Sequence, residues 1–142
     1  MQELSLHHTF AMPVNRLYSC FCKTELLVQW FAGSQMRLKQ IVMNLQKGAE
    51  FEMEFESEAD QTVERYSGQI AEIFANEEII FTLKANDEHE TSVDVRFEQD
   101  GDNHSELHLT HSGLSSPAML EKTARLWHER FARLEKLPEV KR

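Results

Sequence analysis

SPAMLEKTARLWHERFARLEKL, residues 116–137, is the stretch around which the rest of the chain is organised. Its apolar positions Leu120, Ala124, Trp127, Phe131 and Leu134 step by four, three, four and three. That spacing keeps them on one stripe of a 3.6-residue helix. Between them Glu121, Lys122, Arg125, Glu129, Arg130, Arg133 and Glu135 read as a solvated face of mixed charge. Ser116 is a natural N-cap and Pro117 fits the first helical position, where a missing N–H costs nothing. Pro138 forbids continuation. At about 1.5 Å per residue the helix is roughly 30 Å long, enough to cross a small domain. A stripe holding Trp and Phe must be buried against something large.

Upstream, the period changes from 3.6 to two, and the chain reads as a sheet. Leu107, Leu109 and His111 mark the last strand. Asp100-Gly101-Asp102-Asn103, a hairpin signal, joins it to 92–98, with Val93, Val95 and Phe97 on one face. Before these come 78–84 and Val63–Phe74, separated by Ala75-Asn76-Glu77, with Gly68 expected to bend the longer strand. A polar turn is expected at 86–90. The strand at 37–45 ends in the turn Gln46-Lys47-Gly48, which places Gly where positive φ is needed.

Phe51, Met53 and Phe55 then alternate with Glu50, Glu52, Glu54 and Glu56. Such a row of carboxylates superficially suggests a metal or acid–base site. Side chains two apart on a strand, however, splay over about 7 Å of wet surface, so the row reads as a solvated face that resists aggregation.

At the N-terminal end Leu4, Leu6, His8 and Phe10 alternate with polar residues, which predicts a first strand. Two short helices follow. One carries Val14, Leu17, Tyr18 and Phe21, and the other Leu26, Leu27, Trp30 and Phe31, with Thr24 as the cap of the second and Gly33-Ser34 closing the unit. The order is strand, two helices, six strands and one long helix, which argues for α+β rather than α/β.

The 142 residues suit one domain, spanning 1–142. No apolar run approaches bilayer length, and the N-terminus has neither a basic region nor an apolar core, so no signal peptide is expected. Cys20 and Cys22 are too close for an ordinary disulfide or a common zinc site and read as reduced thiols of a cytoplasmic protein. A net charge of -9 repels phosphate backbones and anionic lipid, which excludes nucleic acid and membrane surfaces as expected partners.

The residues also resemble a family. His8-Thr9-Phe10 with Met12-Pro13, Leu27-x-x-Trp30-Phe31, Gly48-Ala49-Glu50-Phe51, Tyr66-Ser67-Gly68-Gln69-Ile70, Ile79-Ile80-Phe81-Thr82 and 109–114 (LTHSGL) stand in one order. That ordered set resembles the activator-of-Hsp90-ATPase homologue family of the START-like, Bet v 1-like superfamily. Departures fall in turns, at Gly48-Ala49 and Ala59-Asp60-Gln61. The resemblance implies a helix-grip fold: a seven-stranded curved antiparallel sheet wrapped on a long C-terminal helix, with two short helices after strand 1. It further implies a first strand lying between the second and the last. Relatives in the superfamily bind lipids, hormones or polyketides between sheet and helix, and some eukaryotic family members stimulate a chaperone.

The cavity candidates are His8, Phe10, Trp30, Phe31, Phe51, Met53, Phe55, Tyr66, Phe81, Phe97, Leu107, Leu109, His111, Trp127 and Phe131. Aromatics at these spacings are first of all a core, and interiors normally fill to crystal density. His8 shares the face of Phe10, and His111 that of Leu109, so both imidazoles are expected to look under the long helix. They read as core or rim histidines bonded to their surroundings ahead of an acid–base pair. His104 and His108 point opposite to His111, so one metal does not collect all three; no metal or cofactor is expected.

Three functions follow, in order. The first is a non-enzymatic binder of a hydrophobic small molecule. The second is a protein-interaction module or chaperone cofactor, its acidic surface giving a salt-sensitive association. The third is a cavity enzyme using His8 or His111. Monomer and homodimer are both compatible with the sequence.

Overall fold

In the computed structural model, which describes residues 2–33, 35–85 and 89–137, the alternating stretches become seven strands and the 3.6-period stretches three helices. In order they are β1 (Gln2–Phe10), α1 (Val14–Cys22), α2 (Thr24–Trp30), β2 (Met36–Met43), β3 (Glu50–Ser57), β4 (Val63–Phe74), β5 (Glu78–Ala85), β6 (Thr91–Gln99), β7 (Ser105–Leu114) and α3 (Pro117–Glu135). The readings that involved Ser34, Asn86 to Glu88 and Pro138 lie outside the described residues. No described helix is long and apolar enough to cross a membrane.

All strand pairs are antiparallel, and the sheet order is β1-β7-β6-β5-β4-β3-β2. This corrects the expected place of the first strand: β1 pairs with β7 and does not lie beside β2. The two are opposite edges of the sheet, and helices fill the space between them, α2 packing on β2 and α3 on β1 and on α2. An edge covered by a helix is protected from pairing with another chain.

The inward faces are those the alternation predicts. Phe51, Met53 and Phe55 of β3 are buried, and so are Val93, Val95 and Phe97 of β6 and Leu107 and Leu109 of β7. On the outer face of β3, Glu54 ion-pairs with Arg65 and Glu56 with Arg37 and Lys39. Exposed pairs of this kind add little stability. The Arg37 guanidinium nevertheless holds the Glu56 carboxyl below its ordinary value, chiefly through its hydrogen bond.

Gly48 adopts φ +86°, as its turn requires. Gly68 has a different reason for being glycine. A Cβ there would lie 2.0 Å from the Thr82 carbonyl oxygen and 2.5 Å from the Phe51 ring, so the residue permits a close approach inside an unbroken β4. The irregularity of the β4–β5 ladder falls between Ile70 and Glu72 instead.

Ser116 caps α3, its hydroxyl accepting from the Met119 N–H at 3.1 Å, and Pro117 is the first helical residue. Thr24 does not cap α2. Lys23 alone separates α1 from α2, so it is the C-cap of one and the N-cap of the other, without a side-chain bond. Around this joint the Trp30 indole donates to the Cys20 carbonyl at 2.9 Å, and Phe21 meets Trp30 edge-on. Both cysteines are free, and burial pushes the Cys22 thiol up to about 11, which makes it inert rather than reactive.

Candidate functional site

The N-terminal half of α3 stands away from the sheet and leaves a hollow of about 250 Å³. Phe55, Tyr66, Leu83 and Leu114 line it from the strands, and Met119 and Leu126 from the helix. Exposed His89 and Lys122 mark its mouth, where Glu64 also contributes. A second hollow, between α2 and the β3–β5 face, holds about 30 Å³. A third, of about 430 Å³, lies against β2, β3 and β4 and is lined mostly by polar residues, among them Gln40, Glu52, Glu54 and Arg65.

The polar residues of the main hollow's wall include Thr91, His111 and Arg130. His111 is held at both nitrogens. The Trp127 indole N–H donates to Nδ1 at 3.1 Å, which leaves Nε2 to carry the proton and donate to the Thr91 hydroxyl at 2.8 Å. Thr91 passes its own proton to the Leu83 carbonyl at 2.9 Å. Every donor in this relay has an acceptor, and the imidazole is fixed as one neutral tautomer. A second proton on His111 would face the indole N–H. Burial, and then the nearby Arg130 charge, depress its pKa to about 4.

Arg130 corrects the reading of α3's charged face. It is 2% exposed, although the sequence placed it among solvated residues. Its guanidinium lies over the rings of Phe31, at 4.2 Å, and Trp127, at 4.6 Å, and its Nε donates to the Phe31 carbonyl at 2.9 Å. Position 130 is three residues after Trp127 and four before Leu134, so it belongs to the inward stripe by period. The stem fills that position, and the planar head stacks between aromatics. Burial lowers its pKa to about 10, with Tyr66, electrostatically and through a hydrogen bond, and then the Glu129 charge working in the opposite direction. It remains a cation at neutral pH.

Of the residues the sequence offered for a cavity, Phe55, Tyr66 and His111 line the main hollow. Phe31, Phe51, Met53 and Phe81 line the small one. Phe10, Trp30, Phe97, Leu107, Leu109, Trp127 and Phe131 are buried in the core. His8 and His111 are not brought together. In the β1–β7 register His8 opposes Leu107 while His111 opposes Leu4, four residues along the strand, or roughly 13 Å. His8 sits at the far end of α3, its Nε2 bonded to Glu135 and its ring between Phe10 and Phe131. The lining residues the sequence reading missed include Thr91, Leu83, Leu114 and Leu126. Arg130 carries an inward signal in its period, three residues after Trp127 and four before Leu134.

The outer face holds a cluster that the sequence did not reveal. His7 and His108 are register partners with rings stacked at 4.6 Å, and Glu106 is beside them. Their ligand atoms lie within 4.8 Å of one another, the one such group among the described residues. It is exposed and on the opposite side of the sheet from the hollow. His104 and His111 take no part in it.

A curved antiparallel sheet gripping one long helix over a hollow defines a helix-grip, START-like domain. The model of the family described as Activator of Hsp90 ATPase homolog 1-like protein matches residues 11–139, and the chain belongs to that family. Its fold is similar to that of a crystal structure from Chromobacterium violaceum, with a TM-score of 0.90 at 18% identity, covering 98% of this chain and 100% of that one. It is also similar to the AHSA1 protein of Silicibacter pomeroyi, with a TM-score of 0.84 at 18% identity, covering 94% and 95%. A protein of the dynemicin biosynthetic locus is similar too, with a TM-score of 0.77 at 12% identity, covering 96% of this chain and 46% of that one. Among curated proteins none matches the chain.

Proposed function

We propose that the protein is a non-enzymatic binder of a small, mostly apolar molecule, held between the sheet and the first turns of α3. One observation carries this reading. The core packs closely beneath α2, where the hollow is about 30 Å³, yet keeps about 250 Å³ open where the helix crosses Tyr66, Leu83 and Leu114. Protein interiors normally fill, so a space of that size with an apolar lining and a few convergent polar groups is the usual form of a ligand site. The state of His111 supports binding over catalysis. Its Nδ1 lone pair is occupied by the indole N–H and its pKa lies near 4, so at neutral pH it is a poor proton acceptor.

The test is native mass spectrometry of protein purified from its own host, followed by a denaturing spectrum of the same sample. An excess mass that disappears on denaturation supports the reading and gives the mass of the occupant. A clean apo mass, together with failure of apolar dyes to change Trp127 emission, would overturn it.

A further inference from the structure

Arg130 fits poorly into a site built for a wholly apolar guest. A buried ion normally has an opposite charge beside it, because desolvation of a lone charge is costly. Among the described residues Arg130 enters none of the salt bridges, and the carboxylate whose charge acts on it is that of Glu129, its chain neighbour on α3. Its protein partners are the Phe31 carbonyl, the Tyr66 hydroxyl and two aromatic faces. A guanidinium has five N–H donors, more than these acceptors satisfy. The same side chain lines the hollow. Two of its neighbours in the wall, Thr91 and His111, do not compete for an anion, since their protons already have acceptors. Lys122 adds a second positive charge at the mouth, and among the described residues that line the hollow Glu64 is the one carboxylate.

Resting on the reading of the hollow as a ligand site, we propose that its occupant is an amphipathic carboxylate, with the carboxylate received by Arg130 and the apolar part lying against Phe55, Leu83, Met119 and Leu126. The planar fork of arginine matches a carboxylate in two-point contact. A space of about 250 Å³ favours that small planar head and a short chain or single ring over a bulkier phosphate ester.

Octanoate and 1-octanol, which differ only at the head, are the probes. Binding at neutral pH is followed by tryptophan emission and by the two indole N–H signals in nitrogen–proton NMR. Octanoate is expected to bind at least about tenfold more tightly than octanol, the ratio a charge-assisted hydrogen bond gives. It should move the Trp127 signal and leave that of Trp30, whose indole is tied to the Cys20 carbonyl outside the hollow. In Arg130→Met the preference should vanish while octanol still binds. If that variant does not fold, the wild-type ratio decides alone. Equal binding of the two probes, or a preference that survives Arg130→Met, would overturn the carboxylate inference and leave the ligand site standing. If neither probe moves Trp127, the site and the inference fall together.

Discussion

Acidification should expose the His111 relay as a term in folding stability. In the folded protein the ring titrates near 4, against an ordinary value of 6.5. Between those values the fold keeps the imidazole neutral while the unfolded chain protonates it. The unfolded state therefore binds the extra proton, and stability is complete above 6.5 and is lost as pH falls to 4. A shift of that size on a buried group corresponds to about 3 kcal/mol. The cause is structural, since protonation would set two N–H donors, the Trp127 indole and Nδ1, against each other in a site that also holds Arg130. The assay is urea unfolding followed by tryptophan emission at a series of pH values, on the wild type and on His111→Gln. Subtracting one profile from the other removes the groups the two proteins share. Across this window the wild type is expected to lose about 3 kcal/mol more than the variant. Identical slopes, or a folded-state His111 that titrates near its ordinary value by NMR, would refute the reasoning.

Two further outcomes follow from other parts of the fold. Gly68→Ala should cost about 2 kcal/mol or more of stability, seen as a lower urea midpoint at unchanged slope, because its Cβ meets the Thr82 backbone and the Phe51 ring at once; a neutral result would mean the strands separate there without cost. Asp94 behaves with the opposite sign to His111. Burial, and then the adjacent Glu78 carboxyl, raise its pKa to about 6, and its Oδ1 is buried without a hydrogen-bond partner. The fold binds that proton more readily than the unfolded chain, so stability falls as pH rises through about 6. Asp94→Asn should then be more stable than wild type by on the order of 1 kcal/mol at neutral pH, with the advantage fading in acid, as thermal melts at both extremes would show.

How far the sequence foretold these features depends on the kind of information each one needs. Strand β4 and the start of α3 were readable because alternation and capping act within a few residues. The buried β3 face was readable for the same reason. The site was not, because it depends on where elements cross. Nothing local states that Leu83, Thr91 and His111 share a wall, or that His7 stands opposite His108; those follow from register, which the whole sheet sets. Arg130 was misread for a different reason. Its period places it inward, whereas its charge reads as solvated. Two aromatic faces and a backbone carbonyl decide for the period. The aromatic list correctly identified the core, but it named mostly residues that fill space rather than those beside the space left open.

The pairing of β1 with β7 has a consequence for how the chain is made. Among the described residues Leu4 pairs with His111 and Gln2 with Leu114, so β1 leaves the ribosome with no template until β7 has followed. Contacts so distant in sequence must pay loop-closure entropy before they return any stability, which slows folding. Until then Leu4, Leu6 and Phe10 are exposed on an unpaired segment, a condition that favours aggregation in nascent chains. Synthesis of this protein therefore contains a waiting period, and its end coincides with the emergence of the helix that closes the grip.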